Sequence, residues 1–258
     1  MSVDLLPMDP KQLGDHLLQL RQEQERLFSR LQRGELQSRR LARSVWRVQE
    51  DERRRLAREL HDGLGQTLTA IRHRIEQIAP HGTPPAAVEE ALQLCDLAIS
   101  ETRALARNLR PQILDDLGLQ AALQWLTRTA AVDGGPQISL DASGLDNVLD
   151  GELRTLVFRV AQEALNNALK HAQAQTIVLR LFERARMLHI LVVDDGVGCD
   201  TAAALAQGSQ GLSSGLSSMR ERVRLFGGQL QMISAPGEGA QIRISLPLVD
   251  ADPASSAS

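Results

Sequence analysis

The stretch ELHDGLGQTL, Glu59 to Leu68, sets an imidazole beside a carboxylate, His61 and Asp62, with an amide at Gln66 and glycines at 63 and 65. The surrounding residues favour helix, in which each glycine costs about 1 kcal/mol against alanine. On a helix Asp62 and Gln66, four apart, share a face and set an acceptor and an amide beside the ring. A neutral imidazole has a lone pair that can attack phosphorus once a neighbour holds its tautomer and accepts the ring proton, and Asp62 can do both. His61 follows Leu60, so it lies about 100° around the helix from the apolar stripe, at an open margin. Helical side chains lean toward the N-terminus, so a side chain at position 65 would lie over the turn of His61; glycine leaves the ring uncovered.

A second group lies in the C-terminal half. In QEALNNALKHA, Glu163 and Asn167 are four apart on one helix face, which Lys170 and His171 extend by a turn. Oxygen donors for a hard cation, with cations for phosphates, suit a magnesium nucleotide. In VVDDGVG an apolar strand ends at Asp194, followed by Gly196 and Gly198. An acid there can receive a base amine while side-chain-free backbone closes over the ring. The segment GSQGLSSGLSSM places Gly208, Gly211 and Gly215 ahead of a helix start near Leu216, an anion cradle and a candidate lid. Gly237 and Gly239 form a tight turn between two strands. Taken singly, each motif has a plainer reading as a solvated face, a turn or a linker.

The elements that must position these groups follow from composition and periodicity. At 258 residues and 43% hydrophobic, the chain can build real cores. A net charge of -3 over 29 basic and 32 acidic residues gives no bias toward nucleic acid or an anionic membrane. Cys95 and Cys199 lack metal-ligand spacing and read as buried, reduced thiols. The N-terminus lacks a signal-peptide pattern, and no window reaches the roughly 20 apolar residues of a membrane span, so a soluble, cytoplasmic protein is expected. From Pro10 to Ala79 Leu, Arg, Gln and Glu predict one long helix, with Leu60, Leu64, Leu68, Ile71, Ile75 and Ile78 as an apolar stripe. The run PHGTPP (80–85) predicts a turn, and Val88 to Leu109 a second amphipathic helix before Pro111. Such a hairpin buries too little alone, which predicts a dimeric four-helix bundle. Farther upstream, Leu13, Leu20, Leu27 and Leu31 are candidate coiled-coil seam positions.

After Pro111 the pattern predicts a helix over 113–131, a strand in GGPQISLDA and a helix over 152–171. Strands at 176–183 and 187–194, a short helix SSMRERVRLF, and strands QLQMISA and AQIRISLPL complete it. The fold class is therefore α+β: a long-helix hairpin followed by an α/β two-layer sandwich with a mixed sheet. The tail DADPASSAS has the composition of a disordered segment.

The order Glu163-x-x-x-Asn167, Asp194-x-Gly196-x-Gly198, the glycine segment and Gly237-x-Gly239 resembles the ATP-binding fold shared by sensor histidine kinases, gyrase-type ATPases and Hsp90-type chaperones. With RRRLARELHDGLGQ, LRPQILDDLGLQAAL and MRERV, it is similar to histidine kinases whose phosphoacceptor domain carries an H-D-x-x-x-Q box, the nitrate-sensor and desaturase-sensor group; the likeness covers roughly Val45 to Leu248. The resemblance implies ATP and magnesium as cofactors, with Asn167 on magnesium, Asp194 on the adenine amine, Lys170 and His171 near the phosphates, and Gly196, Gly198, Gly211, Gly215, Leu216 and Gly239 shaping the pocket. Glu163 activates water in the ATPases of this fold and helps position magnesium in the kinases. His61 would be the phosphoacceptor, and Gln66 would orient water for dephosphorylating a partner. Ser213 departs from the pattern, standing where the first glycine of a Gly-x-Gly-Leu lid belongs.

The implied organisation is an input helix at 1–44, a dimerisation and phosphoacceptor domain at 45–111, a catalytic domain at 112–249 and a tail at 250–258. The implied partners are a second copy through the bundle and the receiver domain of a response regulator, with no direct nucleic-acid contact. The rival readings are an ATPase or serine kinase on the same fold, or a non-catalytic dimeric binding module.

Overall fold

The computed structural model describes residues 10–78, 86–131, 134–142, 144–145, 149–200 and 214–248. The turn at 80–85, Gly208, Gly211, Ser213 and the tail, along with the Leu13 side chain, lie outside the described residues. Contacts divide the chain into two units, Met1–Trp46 and Arg47–Ser258. In the first, helix α1 (Pro10–Glu59) begins, and its seam residues Leu20, Leu27 and Leu31 are exposed.

In the second unit the long predicted helix is interrupted. Its α-helical hydrogen bonding gives way to a π-helical turn at Leu60–Gly65, after which α2 runs over Gln66–Ile78 and α3 over Ala86–Leu109. Helix α2 packs against α3, and this covers only part of the predicted stripe. Leu60, Leu68 and Ile75 are half-buried, whereas Leu64, Ile71 and Ile78 stay 54%, 46% and 78% exposed. Leu94, Leu97 and Leu105 of α3 are bare as well.

The helix expected over 113–131 is two, α4 (Ile113–Asp116) and α5 (Gly118–Ala130). The break falls where Gly118 takes φ +84°, a left-handed conformation that favours glycine. Strand β1 (Gln137–Ala142) then leads to α6 (Gly151–Asn167), capped by the Asp150 carboxylate accepting from Leu153 N at 2.6 Å. A second π turn, Ala168–Ala172, ends this helix. Strands β2 (Thr176–Arg184) and β3 (Met187–Asp194), helix α7 (Ser214–Leu225), and strands β4 (Gln229–Ser234) and β5 (Ala240–Pro247) follow.

The sheet order is β1-β2-β3-β5-β4, parallel between β1 and β2 and antiparallel elsewhere, so it is mixed as predicted. Strand alternation turns Ile177, Leu179, Leu181, Leu188, Ile190, Ile244 and Leu246 into the core. Helix α6 lies against this face with Leu156, Val157, Phe158, Val160 and Ala161 fully buried. Thr155 and Arg159 of this helix are buried as well, so polar groups on α6 sit within interfaces. Among the described residues no helix is long and apolar enough to cross a membrane.

Candidate active site

Helix α6 and strand β3 deliver their polar ends to one cleft of about 580 Å³. Glu163 and Asn167 reach it from the last turns of α6, and Lys170 and His171 from the π turn that follows; Asp194 enters from the end of β3. The α-helical stripe drawn from sequence therefore crosses into π geometry at Ala168, yet all four of its residues line the same space.

The cleft has an apolar end built by the sheet. Val192, Ile242 and Met232 are register partners across β3, β5 and β4, so they form one row, with Ala164, Ala168 and Ala172 opposite them. That flat slot suits a purine. At its floor Asp194 is 9% exposed, and its Oδ1 accepts from Gly196 N at 3.1 Å and Ala240 N at 3.2 Å. Its Oδ2 has no hydrogen-bond partner among the described residues, which leaves an acceptor open to the cleft for a base amine. The neighbouring Asp195 does different work. It accepts from Gln175 N at 2.7 Å and from Thr176 N and Oγ1 at 2.8 and 2.7 Å, fastening the end of β3 to the start of β2. Those bonds, led by Thr176, hold the Asp195 carboxyl below its ordinary range.

The predicted glycines divide by position. Gly198 and Gly215 line the cleft with Leu216, whereas Gly196 and Gly239 are not among its lining residues. A Cβ on Gly196 would overlap the Ala172 carbonyl, and one on Gly239, at φ +71°, would overlap the carbonyl of Asp194. These two glycines let the backbone close around Asp194 from behind. A Cβ on Gly215 would meet the Glu163 carboxylate and the Asn167 amide, so the start of α7 abuts the polar end.

Cys199 was not singled out by sequence reasoning as a site residue, but it lines the cleft. Its amide donates to Ser234 Oγ at 2.8 Å, and that hydroxyl donates to Gly239 O at 2.7 Å, tying the loop after β3 to the β4–β5 turn. Both cysteines are free and half-buried, not buried as expected; Cys199 lines the cleft. Val192 was legible from sequence, two residues before Asp194 on the same strand face; Met232 and Ile242 depend on strand pairing and were not.

His61 and Asp62 lie in the first π turn and Gln66 begins α2; all three are exposed, and none of their side chains has a hydrogen-bond or ion-pair partner among the described residues. Gly63 and Gly65 have negative φ, and a Cβ on Gly65 would meet only Leu60 O at 3.6 Å. Neither backbone conformation nor packing among the described residues demands glycine at these positions.

Magnesium binding proteins typically supply one or two oxygen ligands and leave the rest to phosphates and water. Glu163 and Asn167 fit that pattern, with Lys170 and His171 beside them for phosphate charge. Among the described residues no group of three or more His, Cys, Asp or Glu gathers as a self-sufficient metal cage.

Residues 52–114 match the family described as histidine kinase, and residues 152–250 match the family described as histidine kinase-, DNA gyrase B-, and HSP90-like ATPase. The chain is 36% identical over 212 residues to the sensor histidine kinase MctS of Rhizobium johnstonii, covering 80% of this chain and 45% of that protein. It is 35% identical over 240 residues to the signal transduction histidine-protein kinase/phosphatase UhpB of Salmonella typhimurium, covering 91% and 46%. It thus spans less than half the length of these relatives. The histidine kinase domain of the blue-light activated histidine kinase EL346 from Erythrobacter litoralis is similar over 74% of this chain and 94% of its own, at 20% identity and a TM-score of 0.47.

Proposed function

The chain belongs to the sensor histidine kinase family, and from that premise we propose that it phosphorylates its own His61 from Mg-ATP and passes the phosphoryl group to an aspartate of a separate response regulator. The observation that carries the reading is the single cleft joining an unpartnered carboxylate oxygen on Asp194 to the polar group of Glu163, Asn167, Lys170 and His171.

In this reading Asp194 accepts the adenine amine in the apolar slot, Lys170 and His171 offset phosphate charge, and the start of α7 at Gly215 and Leu216 borders the phosphates. Gly211, outside the described residues, belongs to the same proposed binding segment. Asn167 coordinates magnesium and Glu163 positions it; the ion would neutralise charge developing on the transferred group. A nitrogen of His61 attacks the γ-phosphorus in line, the bond to the ADP oxygen breaks, and Asp62 takes the ring proton. The exposure of His61 supports this, since both a nucleotide and a receiver aspartate must reach it in turn. Gln66 orients a water for hydrolysing the phosphorylated regulator, a role favoured by likeness to a relative named as kinase/phosphatase.

Residues 45–111 are the phosphoacceptor domain in this reading, 112–249 the catalytic domain and 1–44 an input segment. The bare Leu64, Ile71 and Ile78 of α2 and Leu94, Leu97 and Leu105 of α3 support a homodimer closed as a four-helix bundle. We place the protein in the cytoplasm. The decisive experiment is labelling with γ-radiolabelled ATP: the wild type should acquire acid-labile, alkali-stable label that His61→Gln abolishes. Label persisting in that variant would refute His61 as the acceptor.

A further inference from the structure

A second cleft, of about 430 Å³, opens on the same unit away from the nucleotide pocket. Arg54 and Arg58 reach it from α1, Arg110 and Asp115 from the junction of α3 and α4, and Arg154 and Thr155 from the first turn of α6. Four guanidiniums thus face one lining carboxylate. Asp115 is already engaged, accepting from Arg54 Nε at 3.0 Å and from Arg110 Nη2 at 2.9 Å. The other acid bonded to this network, Glu50, is taken up by Arg159 and Arg53 behind the cleft.

Two of the four arginines are left over. Arg58 has no hydrogen-bond or ion-pair partner among the described residues, and the Nε of Arg154 is buried without a hydrogen bond. Leaving a guanidinium donor out of water and unpaired costs roughly 1–3 kcal/mol or more. Behind the cleft, burial lowers the affinity of Arg159 for its proton more than Glu50 raises it, and Arg53 and Arg110 add smaller repulsions. Positive charge is therefore in excess, part of it desolvated, around an open cavity.

We propose that this cleft is an anion site that binds the phosphate dianion of a small molecule, either inorganic phosphate or a phosphate monoester. A tetrahedral dianion supplies at least three acceptor oxygens, enough for Arg58 and Arg154 together, where a lone carboxylate supplies two; planar guanidiniums pair with it bidentately. The volume lies within the range of small-ligand pockets. Because α1 leads into the turn that carries His61 and α6 carries Glu163 and Asn167, an occupied cleft braces the helix ahead of the phosphoacceptor against the nucleotide helix. The site does not depend on the kinase reading.

The test titrates the full chain with inorganic phosphate and, separately, phenyl phosphate, followed by calorimetry and thermal shift. Magnesium and a non-hydrolysable ATP analogue fill the nucleotide cleft, and chloride holds ionic strength constant. Saturable binding at one anion per chain is expected, weakened about tenfold or more in Arg58→Gln and in the Arg58→Gln/Arg154→Gln pair, with the analogue's own stabilisation unchanged. Stronger binding of one probe assigns the free ion or the monoester as the natural source. Should the double variant lose its response to the analogue, Arg58→Gln alone decides, since Arg58 is exposed and free. Superimposable titrations in wild type and variant, a response that chloride reproduces, or binding of an acidic peptide without phosphate would each overturn the site.

Discussion

The ion pair between Glu50 and Arg159 ties the helix leading to His61 to the helix bearing Glu163, and Glu50→Gln tests it. Glu50 Oε2 accepts from Arg159 Nε at 3.0 Å and Nη2 at 2.8 Å, and Arg110 Nη1 lies 3.7 Å away; Oε1 accepts from Arg53 at 2.9 Å. The two side chains are 6% and 4% exposed. Glutamine keeps the shape but removes the negative charge these three guanidiniums surround. Arg159 cannot shed its proton at neutral pH, so the charge stays buried and uncompensated. Breaking one side of such a pair costs roughly 3–5 kcal/mol, against about 0–1 kcal/mol for a solvated pair. In urea the midpoint of unfolding should therefore fall sharply at unchanged slope. Replacing both partners, Glu50→Leu with Arg159→Met, should recover part of the loss, the remainder belonging to Arg53 and Arg110, which also lose Glu50, and to the Leu109 carbonyl that Arg159 serves. A loss under about 1 kcal/mol in Glu50→Gln would show that water screens the pair and that it does not hold the helices together.

Three further outcomes follow from the same structure. Gly65→Met should leave thermal stability unchanged or raised by about 1 kcal/mol, since no clash awaits it and glycine disfavours helix, while phosphorylation of His61 drops severely; equal labelling would remove the clearance argument. Ile71→Glu should convert the dimer to monomer in light scattering without unfolding the nucleotide lobe, and a persisting dimer would place the interface elsewhere. For acid sensitivity, burial raises the Asp115 carboxyl, but hydrogen bonds from Arg110 and Arg54 outweigh it and the net shift is downward, as it is for Asp195. Folding then gains stability from these carboxylates above their unfolded pKa near 3.9 and loses it as pH falls through the lower folded values, so Asp115→Asn should flatten the acid limb of an unfolding curve taken between about pH 5 and 2.

The parts of this structure legible in the sequence are those with local signatures. Strand alternation placed Asp194 at a strand end, and i,i+4 spacing brought Glu163 and Asn167 to one face. Asp194 and Asp195 were distinguishable only in part, because the Asp195 latch onto Thr176 needs β2 paired to β3. The arginine and glutamate network was invisible for a related reason: Glu50 and Arg159 lie 109 residues apart, and each alone reads as an ordinary charge on a solvated helix face. The helix over 113–131 misled because its apolar spacing continues across Leu117 while Gly118 reverses the backbone.

The π turns were the other blind spot, and they bear most directly on chemistry. Periodicity analysis assumes a constant angle per residue, so it carries the stripe of α1 straight through Leu60–Gly65 and that of α6 through Ala168–Ala172. A π turn shifts hydrogen bonding from i→i+4 to i→i+5 and so changes the phase between the residues before it and those after it. Of the described helices, these two wide turns hold His61 and Asp62 in one case and Lys170 and His171 in the other. Widening the turn aims the reactive side chains independently of the packing that anchors their helices, at the cost of weaker local hydrogen bonding. On this account, deleting one residue from Leu60–Gly65 to restore α-helical phase should leave the helix content intact by circular dichroism yet abolish labelling, and retained labelling would show that the π geometry is incidental.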